Sequence, residues 1–236
     1  MSENKYKRVL LKISGEALAG DAKIGINDEV LKEISANIKA VADLGVQVAI
    51  VVGGGNFWRG RSSGDMDRVK ADQIGMLGTI MNCVYAADEL RQQGCTCHVM
   101  TPYQIGDVTE LYIRDKAVEY LEKGDVVFFA GGTGHPFFST DMAVTLRAIE
   151  IGAEVILAAK VIDGVYDSDP KINPDAKKFD EMEMSDIVDK KLGVIDLTSA
   201  VLAMENKMPM ILFGLNEENS ILRAVSGEKI GTKINV

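Results

Sequence analysis

The stretch VQVAIVVGGGNFWRG, residues 46–60, runs from an almost wholly apolar segment into three glycines, an Asn, two aromatic residues and an Arg. An apolar run of this length predicts a strand that is buried on both faces of a sheet. Each glycine costs stability relative to alanine, so the three at 53–55 indicate a place where the backbone cannot carry side chains. A ligand's oxygens could then lie against turned main-chain amides, which form an anion-binding nest. The alternative is a tight turn with positive φ, for which one glycine would suffice.

Short apolar runs of the same kind recur along the chain. We predict further strands at 8–13, 95–100, 125–130, 154–159 and 208–213. Between them, apolar residues recur at helical spacing, most clearly at 28–44, which Asn27 or Asp28 would cap and Gly45 would end. We predict the other helices at 70–93, 114–123, 140–152, 196–206 and 218–225. This alternation predicts a single α/β domain over residues 1–236, with a mainly parallel sheet covered on both faces and ligands at the carboxyl ends of its strands.

The overall charge excludes several classes of partner. A formal net charge of −9 and a pI near 4.9 argue against a surface for nucleic acid or anionic membrane, which needs clustered Lys and Arg in excess of acids. The first apolar run, 9–13, is far shorter than a signal-peptide core, and no window approaches the ~20 apolar residues of a membrane span. We therefore predict a cytoplasmic protein with neither a nucleic-acid nor a membrane partner.

The cysteines and histidines predict neither disulfides nor a metal site built from the protein alone. Cys83, Cys95 and Cys97 are odd in number and suit reduced core thiols. His98 and His135, the two histidines, lack ligand spacing from a cysteine pair. Neither the G-x-G-x-x-G pattern of dinucleotide-binding folds nor the Gly-Lys-Ser/Thr of a P-loop is present.

Loops at the strand ends carry residues suited to phosphate chemistry. In LLKISGEAL, 10–18, Lys12 closes a strand, and Ser14 and Gly15 turn the chain. The ammonium of Lys12 could steady a transferring phosphoryl group, or it could simply reach solvent at the sheet edge. Beside the glycines of 53–55, Arg59 and Arg61 add positive charge to an acidic protein.

The loop AGGTGHPFFSTD, 130–141, combines three glycines with hydroxyl groups and two aromatic rings that could stack on a base. A purely structural interpretation makes Ser139 or Thr140 a helix cap and Asp141 a partner of the helix dipole. The loop KVIDGVYDSDP, 160–170, follows another strand, but turn chemistry alone would explain its Asp-Gly pair. Asp72 suits a ribose diol or, equally, a solvated helix start.

Taken in order, LLKISGEAL, VVGGGNFWRG, GTGHPFFSTDMA and DGVYDSDP resemble the motifs of the bacterial uridylate kinases (UMP kinases) of the amino acid kinase family. The resemblance covers nearly the whole chain, including ADQIGMLGTIMN and GEKIGTKI, and the ordered set is more specific than any single motif. It implies an αβα sandwich with the amino acid kinase fold, assembled as a homohexamer. It also implies transfer of the γ-phosphoryl group of ATP, carried with Mg²⁺, to UMP in pyrimidine nucleotide biosynthesis, with GTP and UTP as effectors.

The resemblance also implies roles for individual residues. Those implied for ATP are Lys12, Ile13, Ser14, Gly15, Gly55, Arg59, Lys160, Tyr166 and Asp169. Those implied for UMP are Gly54, Asp72, Thr133, Gly134, His135, Pro136, Phe137, Phe138, Ser139 and Thr140. Those implied as catalytic are Lys12, Arg59 and Asp141, with Asp141 orienting the cations that ATP brings and Asp196 a further candidate for such a role. His135 stands where the family commonly has Asn.

Two alternatives remain open. One is a kinase of the same fold that phosphorylates a carboxylate or carbamate, such as aspartate or acetylglutamate. The other is a sensor that binds ATP without consuming it. The aromatic loop and Asp72 favour a nucleotide acceptor, while Lys12, Arg59 and Asp141 together favour catalysis.

Overall fold

Within residues 4–58, 64–190 and 192–236, which the computed structural model describes, nine strands form one sheet. They are β1 (Arg8–Ile13), β2 (Gln47–Val52), β3 (Cys97–Thr101), β4 (Glu110–Leu111), β5 (Val126–Phe129), β6 (Val155–Lys160), β7 (Glu181–Glu183), β8 (Met210–Gly214) and β9 (Thr232–Asn235). The order across the sheet is β4-β3-β5-β2-β1-β6-β8-β9-β7. All neighbours from β4 to β8 are parallel, whereas β9 runs antiparallel to β8 and carries β7 parallel to itself.

Helices cover both faces of the sheet. In the described ranges they are α1 (Gly15–Ala19), α2 (Asp28–Asp43), α3 (Arg68–Gln92), α4 (Arg114–Glu122), α5 (Thr140–Glu150), α6 (Met184–Asp189), α7 (Leu197–Glu205) and α8 (Ser220–Ser226). One buried core lies between the sheet and α1, α2, α3 and α8, and a second lies between the sheet and α4, α5, α6 and α7. The fold is therefore the predicted αβα sandwich with a mainly parallel central sheet.

Side-chain alternation along β1 determines where its lysine lies. Val9 and Leu11 belong to the first core and Leu10 to the second, because successive residues of a strand point to opposite faces. Lys12 follows Leu11 and therefore projects to the face that α5 covers.

The predicted elements are present with small shifts at their ends, and the shortest elements are new. The strand predicted at 95–100 begins at Cys97, and Asn27 is the cap of α2, accepting bonds from the amides of Glu29 and Val30. Strands β4, β7 and β9 and helices α1 and α6 were not predicted. Each spans only two to six residues, which is too short to show a periodic pattern.

The polar segment 160–183 leaves the sheet after β6 and returns to its far edge at β7. An antiparallel bridge between Tyr166 and Lys178 closes this excursion. The Asp167 carboxylate accepts the Lys177 amide at 2.9 Å, so the excursion is an ordered loop. In the described part of the chain, no helix combines the length and the apolar character needed to cross a lipid bilayer.

Candidate active site

Four candidate loops meet at one edge of the sheet. They follow β1, β2, β5 and β6, which are consecutive in the order β5-β2-β1-β6 and all parallel. Because the carboxyl ends of parallel strands lie at the same edge, the loops that begin at Ser14, Gly53, Ala130 and Val161 are neighbours. The prediction that the strand-end loops collect on one side is confirmed.

The glycines of 53–55 are explained chiefly by close approach of backbones. None of the three has positive φ, so a turn requirement is not the reason for them. A Cβ at Gly54 would lie 2.7 Å from the carbonyl oxygen of Gly75 in α3, and one at Gly15 would lie 2.4 Å from the carbonyl oxygen of Gly53. A Cβ at Gly55 would meet nothing closer than the Glu16 carboxylate at 3.4 Å. The absence of side chains thus allows the loops after β1 and β2 and helix α3 to contact one another. Of the three glycines, only Gly55 has no backbone atom close to the position a Cβ would take.

A buried pair of asparagines holds these loops in place. The amide of Asn56 donates to Asn82 Oδ1 at 3.0 Å and to the carbonyl oxygen of Gly25 at 2.7 Å. Asn82 returns a bond to Asn56 Oδ1 at 2.8 Å and donates to the carbonyl oxygen of Gly53 at 2.7 Å. Sequence reasoning missed this pair, although an Asn on the buried side of a helix was a usable signal because a buried amide needs partners.

Lys12 and Asp141 form an ion pair at the centre of this edge. Lys12 is only 9% exposed, and its Nζ lies 3.2 Å from Oδ1 of Asp141, in the first turn of α5. Burial by itself raises the pKa of the Asp141 carboxyl, but the charges of Lys12 and Lys160 and the amide of Asp196 outweigh it and hold this pKa below its ordinary value. Asp141 is therefore ionised at neutral pH.

Lys160 brings a second ammonium group to the same place. Its Nζ donates to the backbone carbonyl of Val194. Burial lowers the pKa of Lys160 and the nearby charge of Lys12 lowers it further, while Asp141 opposes both effects in part. Two cations and one carboxylate thus share a buried site, which suits the binding of further negative charge.

Ser139 and Asp196 connect this cluster to two helix starts. The Ser139 hydroxyl caps α5 by accepting the amide of Met142 at 3.2 Å, and it donates to Asp196 Oδ2 at 2.7 Å. Asp196 caps α7, and its own amide donates to Asp141 Oδ2 at 3.4 Å. The structural role predicted for Ser139 is confirmed, and Asp196 lies next to Asp141.

A cavity of about 720 Å³ opens beside Lys12 and Lys160. Among the residues expected at ATP, it is lined by Lys12, Ser14, Lys160, Tyr166 and Asp169. The residues lining it that were not assigned to ATP are Glu16, Val161, Ile162, Gly164, Asp167, Ser168, Pro170, Lys171, Leu192, Gly193, Val194 and Leu212. Most of these are apolar or come from the excursion after β6. The Tyr166 hydroxyl donates to Asp163 at 2.7 Å, which fixes the ring on the cavity wall.

A second cavity, of about 160 Å³, lies beside the glycine loop. Among the residues expected at UMP, it is lined by Gly54, Asp72, Phe138, Ser139 and Thr140. The residues lining it that were not assigned to either nucleotide are Trp58, Gly75, Met76, Thr79 and Gly132. Gly55, expected on the ATP side, lines this smaller cavity. Met76 and Thr79 face it because α3 packs directly on the glycine loop, a contact that helical periodicity alone does not reveal.

Within the part of the chain that the structure describes, the remaining residues predicted to bind a nucleotide line neither cavity. Thr133 and His135 bond to each other in a local turn; His135 is exposed, and Thr133, Gly134 and Pro136 are partly buried. Ile13 is buried, and its carbonyl accepts the amide of Gly53 at 2.9 Å. Phe137 donates its amide to Asp72 at 2.8 Å. Arg59, predicted to be catalytic and to bind ATP, lies outside the described residues, as does Arg61.

Comparison with known proteins agrees with this geometry. The model of the amino acid kinase family matches residues 7–214. A curated protein named uridylate kinase, from Pediococcus pentosaceus, is 52% identical over 99% of this chain and 98% of its own length. A solved UMP kinase from Bacillus anthracis is 40% identical with a TM-score of 0.94, covering 98% of this chain and 96% of its own. One from Ureaplasma parvum is 31% identical with a TM-score of 0.92, covering 98% and 100%.

The chain belongs to the amino acid kinase family. Within that family, the relatives and solved structures that it matches over nearly its full length are uridylate kinases, as its motifs predict.

Proposed function

We propose that this protein transfers the γ-phosphoryl group of ATP to UMP, giving ADP and UDP. One observation carries the proposal: the large and the small cavity open at neighbouring strand ends, and Lys12 lines the large one while Ser139 and Thr140, directly before Asp141, line the small one. The match to uridylate kinases over the whole chain supports the choice of substrates.

The sizes and linings of the cavities suggest which nucleotide each one takes. A volume of about 720 Å³ with an apolar and tyrosine-bearing wall suits the base, ribose and phosphates of ATP. The smaller cavity combines Asp72 with the start of α5, and it suits a nucleoside monophosphate whose ribose meets a carboxylate and whose phosphate meets backbone amides. We propose as ligands, on this basis, the predicted ATP and UMP residues that line the cavities. For Arg59 and residues 133–136 the proposal rests on the resemblance of their motifs to those of uridylate kinases.

The reaction needs alignment and positive charge rather than a general base, because the UMP phosphate is already an anionic nucleophile near neutral pH. In our proposal Lys12 steadies the charge that spreads over the transferring group, and Arg59 and loop amides assist. Mg²⁺ bound to ATP would neutralise phosphate charge and align the oxygens. The ionised, partly buried carboxylate of Asp141 fits a role in orienting that ion. Within the described residues no cluster of three or more His, Cys, Asp or Glu could hold a metal ion by itself.

The test is a direct comparison of acceptors. Purified protein is incubated with MgATP and, in turn, with UMP, CMP, dTMP, aspartate and acetylglutamate, and ADP formation is measured. We expect the highest kcat/KM with UMP. Turnover with an amino acid derivative instead would indicate a kinase for carboxylates, and ATP binding without ADP formation with any acceptor would indicate a sensor.

Assembly and regulation extend the proposal. Helix α3 exposes an apolar stripe formed by Ile74, Leu77, Met81 and Tyr85, each between 37% and 50% exposed, which supports a homo-oligomer such as a homohexamer. We further propose a cytoplasmic enzyme of pyrimidine nucleotide biosynthesis with GTP and UTP as effectors. Size measurement by light scattering, and rates measured with and without each nucleotide, test these points.

A further inference from the structure

Arg68, Asp72 and Phe137 form a closed network at the rim of the smaller cavity. Arg68 Nε lies 2.9 Å from each carboxylate oxygen of Asp72, one helical turn further along α3. The amide of Phe137, in the loop after β5, donates to Oδ2 of the same carboxylate at 2.8 Å. The Arg68 guanidinium lies over the Phe137 ring, with Cζ 5.4 Å from the ring centroid. We call these three residues the latch.

The backbone of Phe137 shows that this network restrains the loop. Its φ is +71°, a left-handed conformation that is unfavourable for a bulky residue. The residue is 65% exposed, so tertiary burial does not hold it there. The hydrogen bond to Asp72 and the cation–π contact with Arg68 are the interactions that stabilise it.

The latch leaves Asp72 with capacity for one more partner. A carboxylate has about four acceptor positions. Among the residues that the structure describes, Oδ2 accepts bonds from Phe137 and Arg68, whereas Oδ1 accepts only the shared Arg68 Nε–H. The carboxyl group lies on the wall of the smaller cavity, and its side chain is 13% exposed. Arg68 therefore fixes the plane of a carboxylate that can still accept a hydroxyl donor.

We propose that Arg68 is a positioning residue for the acceptor nucleotide, acting through the latch. It orients Asp72 to receive a ribose hydroxyl and, with Asp72, holds the Phe137 segment beside the cavity in the ligand-free protein. This inference rests on the proposed function, since it takes the occupant of the smaller cavity to be UMP. Arg68 itself carries no reacting group and is predicted to affect binding of the acceptor more than the chemical step.

The test compares Arg68→Ala with Lys70→Ala, a matched control that removes an exposed cation from the same turn of α3. Losing a hydrogen bond to a charged group predicts a rise of about 10- to 100-fold in the KM for UMP in Arg68→Ala. The KM for ATP and kcat should stay within about threefold of the wild type, because Arg68 does not line the larger cavity. Arg68→Lys should recover only part of the loss, because an ammonium cannot reproduce the planar contact with both oxygens and the ring.

A second measurement needs no turnover. Amide hydrogen exchange of the ligand-free protein, followed at Phe137, should be faster in Arg68→Ala than in wild type and unchanged in Lys70→Ala. If Arg68→Ala raises neither the KM for UMP nor this exchange rate while the wild type phosphorylates UMP, the positioning role is overturned and the proposed function stands. If kcat falls as much as kcat/KM, Arg68 acts in the chemical step and the inference is overturned. If the wild type fails to phosphorylate UMP, the proposed function falls and the inference falls with it.

Discussion

Lys12 is the residue on which catalysis should depend most, since it is a buried cation at the point where donor and acceptor phosphates would meet. Replacing it with Ala should lower kcat by at least about 100-fold with a modest change in KM, in line with the loss of one preorganised charge donor. Steady-state kinetics with UMP and MgATP measure this, with Lys7→Ala, an exposed lysine just before β1, as the control.

The same substitution has a consequence for Asp141. Without Lys12, only the charge of Lys160 and the amide of Asp196 oppose the effect of burial, so the pKa of this carboxyl would rise and the variant's stability should fall at neutral pH. Thermal unfolding of Lys12→Ala therefore has to accompany the kinetics. A folded variant with near-normal turnover would remove Lys12 from the mechanism.

Trp58 provides an internal probe of the smaller cavity. It is the single tryptophan of the chain, it lines that cavity, and its buried Nε1 has no hydrogen-bond partner in the described structure. Adding UMP should change the intensity or wavelength of its fluorescence emission, because the ligand alters the polarity around the indole. A non-hydrolysable ATP analogue should have a smaller effect, since Trp58 does not line the larger cavity. If calorimetry shows that UMP binds while the fluorescence emission of Trp58 stays unchanged, UMP does not bind in the smaller cavity.

At the level of elements, the contact between α3 and the loop after β2 should be intolerant of added atoms. Gly54→Ala would bring a Cβ within 2.7 Å of a helix carbonyl and should lower the free energy of unfolding by about 1–3 kcal/mol. Gly55→Ala, where the nearest atom would be 3.4 Å away, is the matched control and should cost much less. Urea denaturation of both variants measures the difference, and equal losses would show that the close approach is not the cause.

The short edge strand β4 depends on a charged cluster built on Glu110. Its carboxylate accepts bonds from Lys116 at 2.5 Å, from Tyr120 at 2.9 Å and, through the other oxygen, from His98 at 2.9 Å. Burial alone would raise the pKa of Glu110, but the bonds from Lys116, His98 and Tyr120 prevail and lower it to about 2.

Because the folded pKa of Glu110 lies below its unfolded value of 4.5, the stabilisation is fully present above pH 4.5 and is lost as the pH falls toward about 2. Glu110→Gln should therefore be less stable than wild type at pH 7, and this difference should shrink steadily between pH 4.5 and pH 2. Chemical denaturation across this range measures it. A difference that does not vary with pH would exclude the carboxylate charge as its source.

The sequence predicted the long elements and the convergence of the loops because both follow from periodicity and from the geometry of parallel strands. It did not predict the elements of only a few residues, because they are too short to show a periodic pattern. Strand β4, for example, is held in place by side chains from α4. It also assigned Gly53 and Gly54 to ligand binding, whereas their first constraint is contact with Gly15 and α3. Such contacts join segments far apart in the chain, and one sequence does not display them.

At the level of the whole molecule, one sheet carries a buried core on each face. Because β1 and β6 contribute side chains to both cores, neither core can open without disturbing the other. We therefore propose that residues 1–236 form one domain and unfold in a single transition, with coincident curves for circular dichroism and tryptophan fluorescence. Two separated transitions would indicate that the cores are independent units.

The pairing of Lys12 with Asp141 also affects how the empty protein meets the small anions around it. The ammonium of Lys12 already has the Asp141 carboxylate as its partner. Inorganic phosphate or chloride would have to compete with this carboxylate for a single weak contact. A nucleotide brings its base, sugar and phosphates together, so it can displace that neighbour where a simple ion cannot. We therefore expect the empty site to take up a nucleotide in preference to a simple anion, although Lys160 leaves the cluster with a net positive charge.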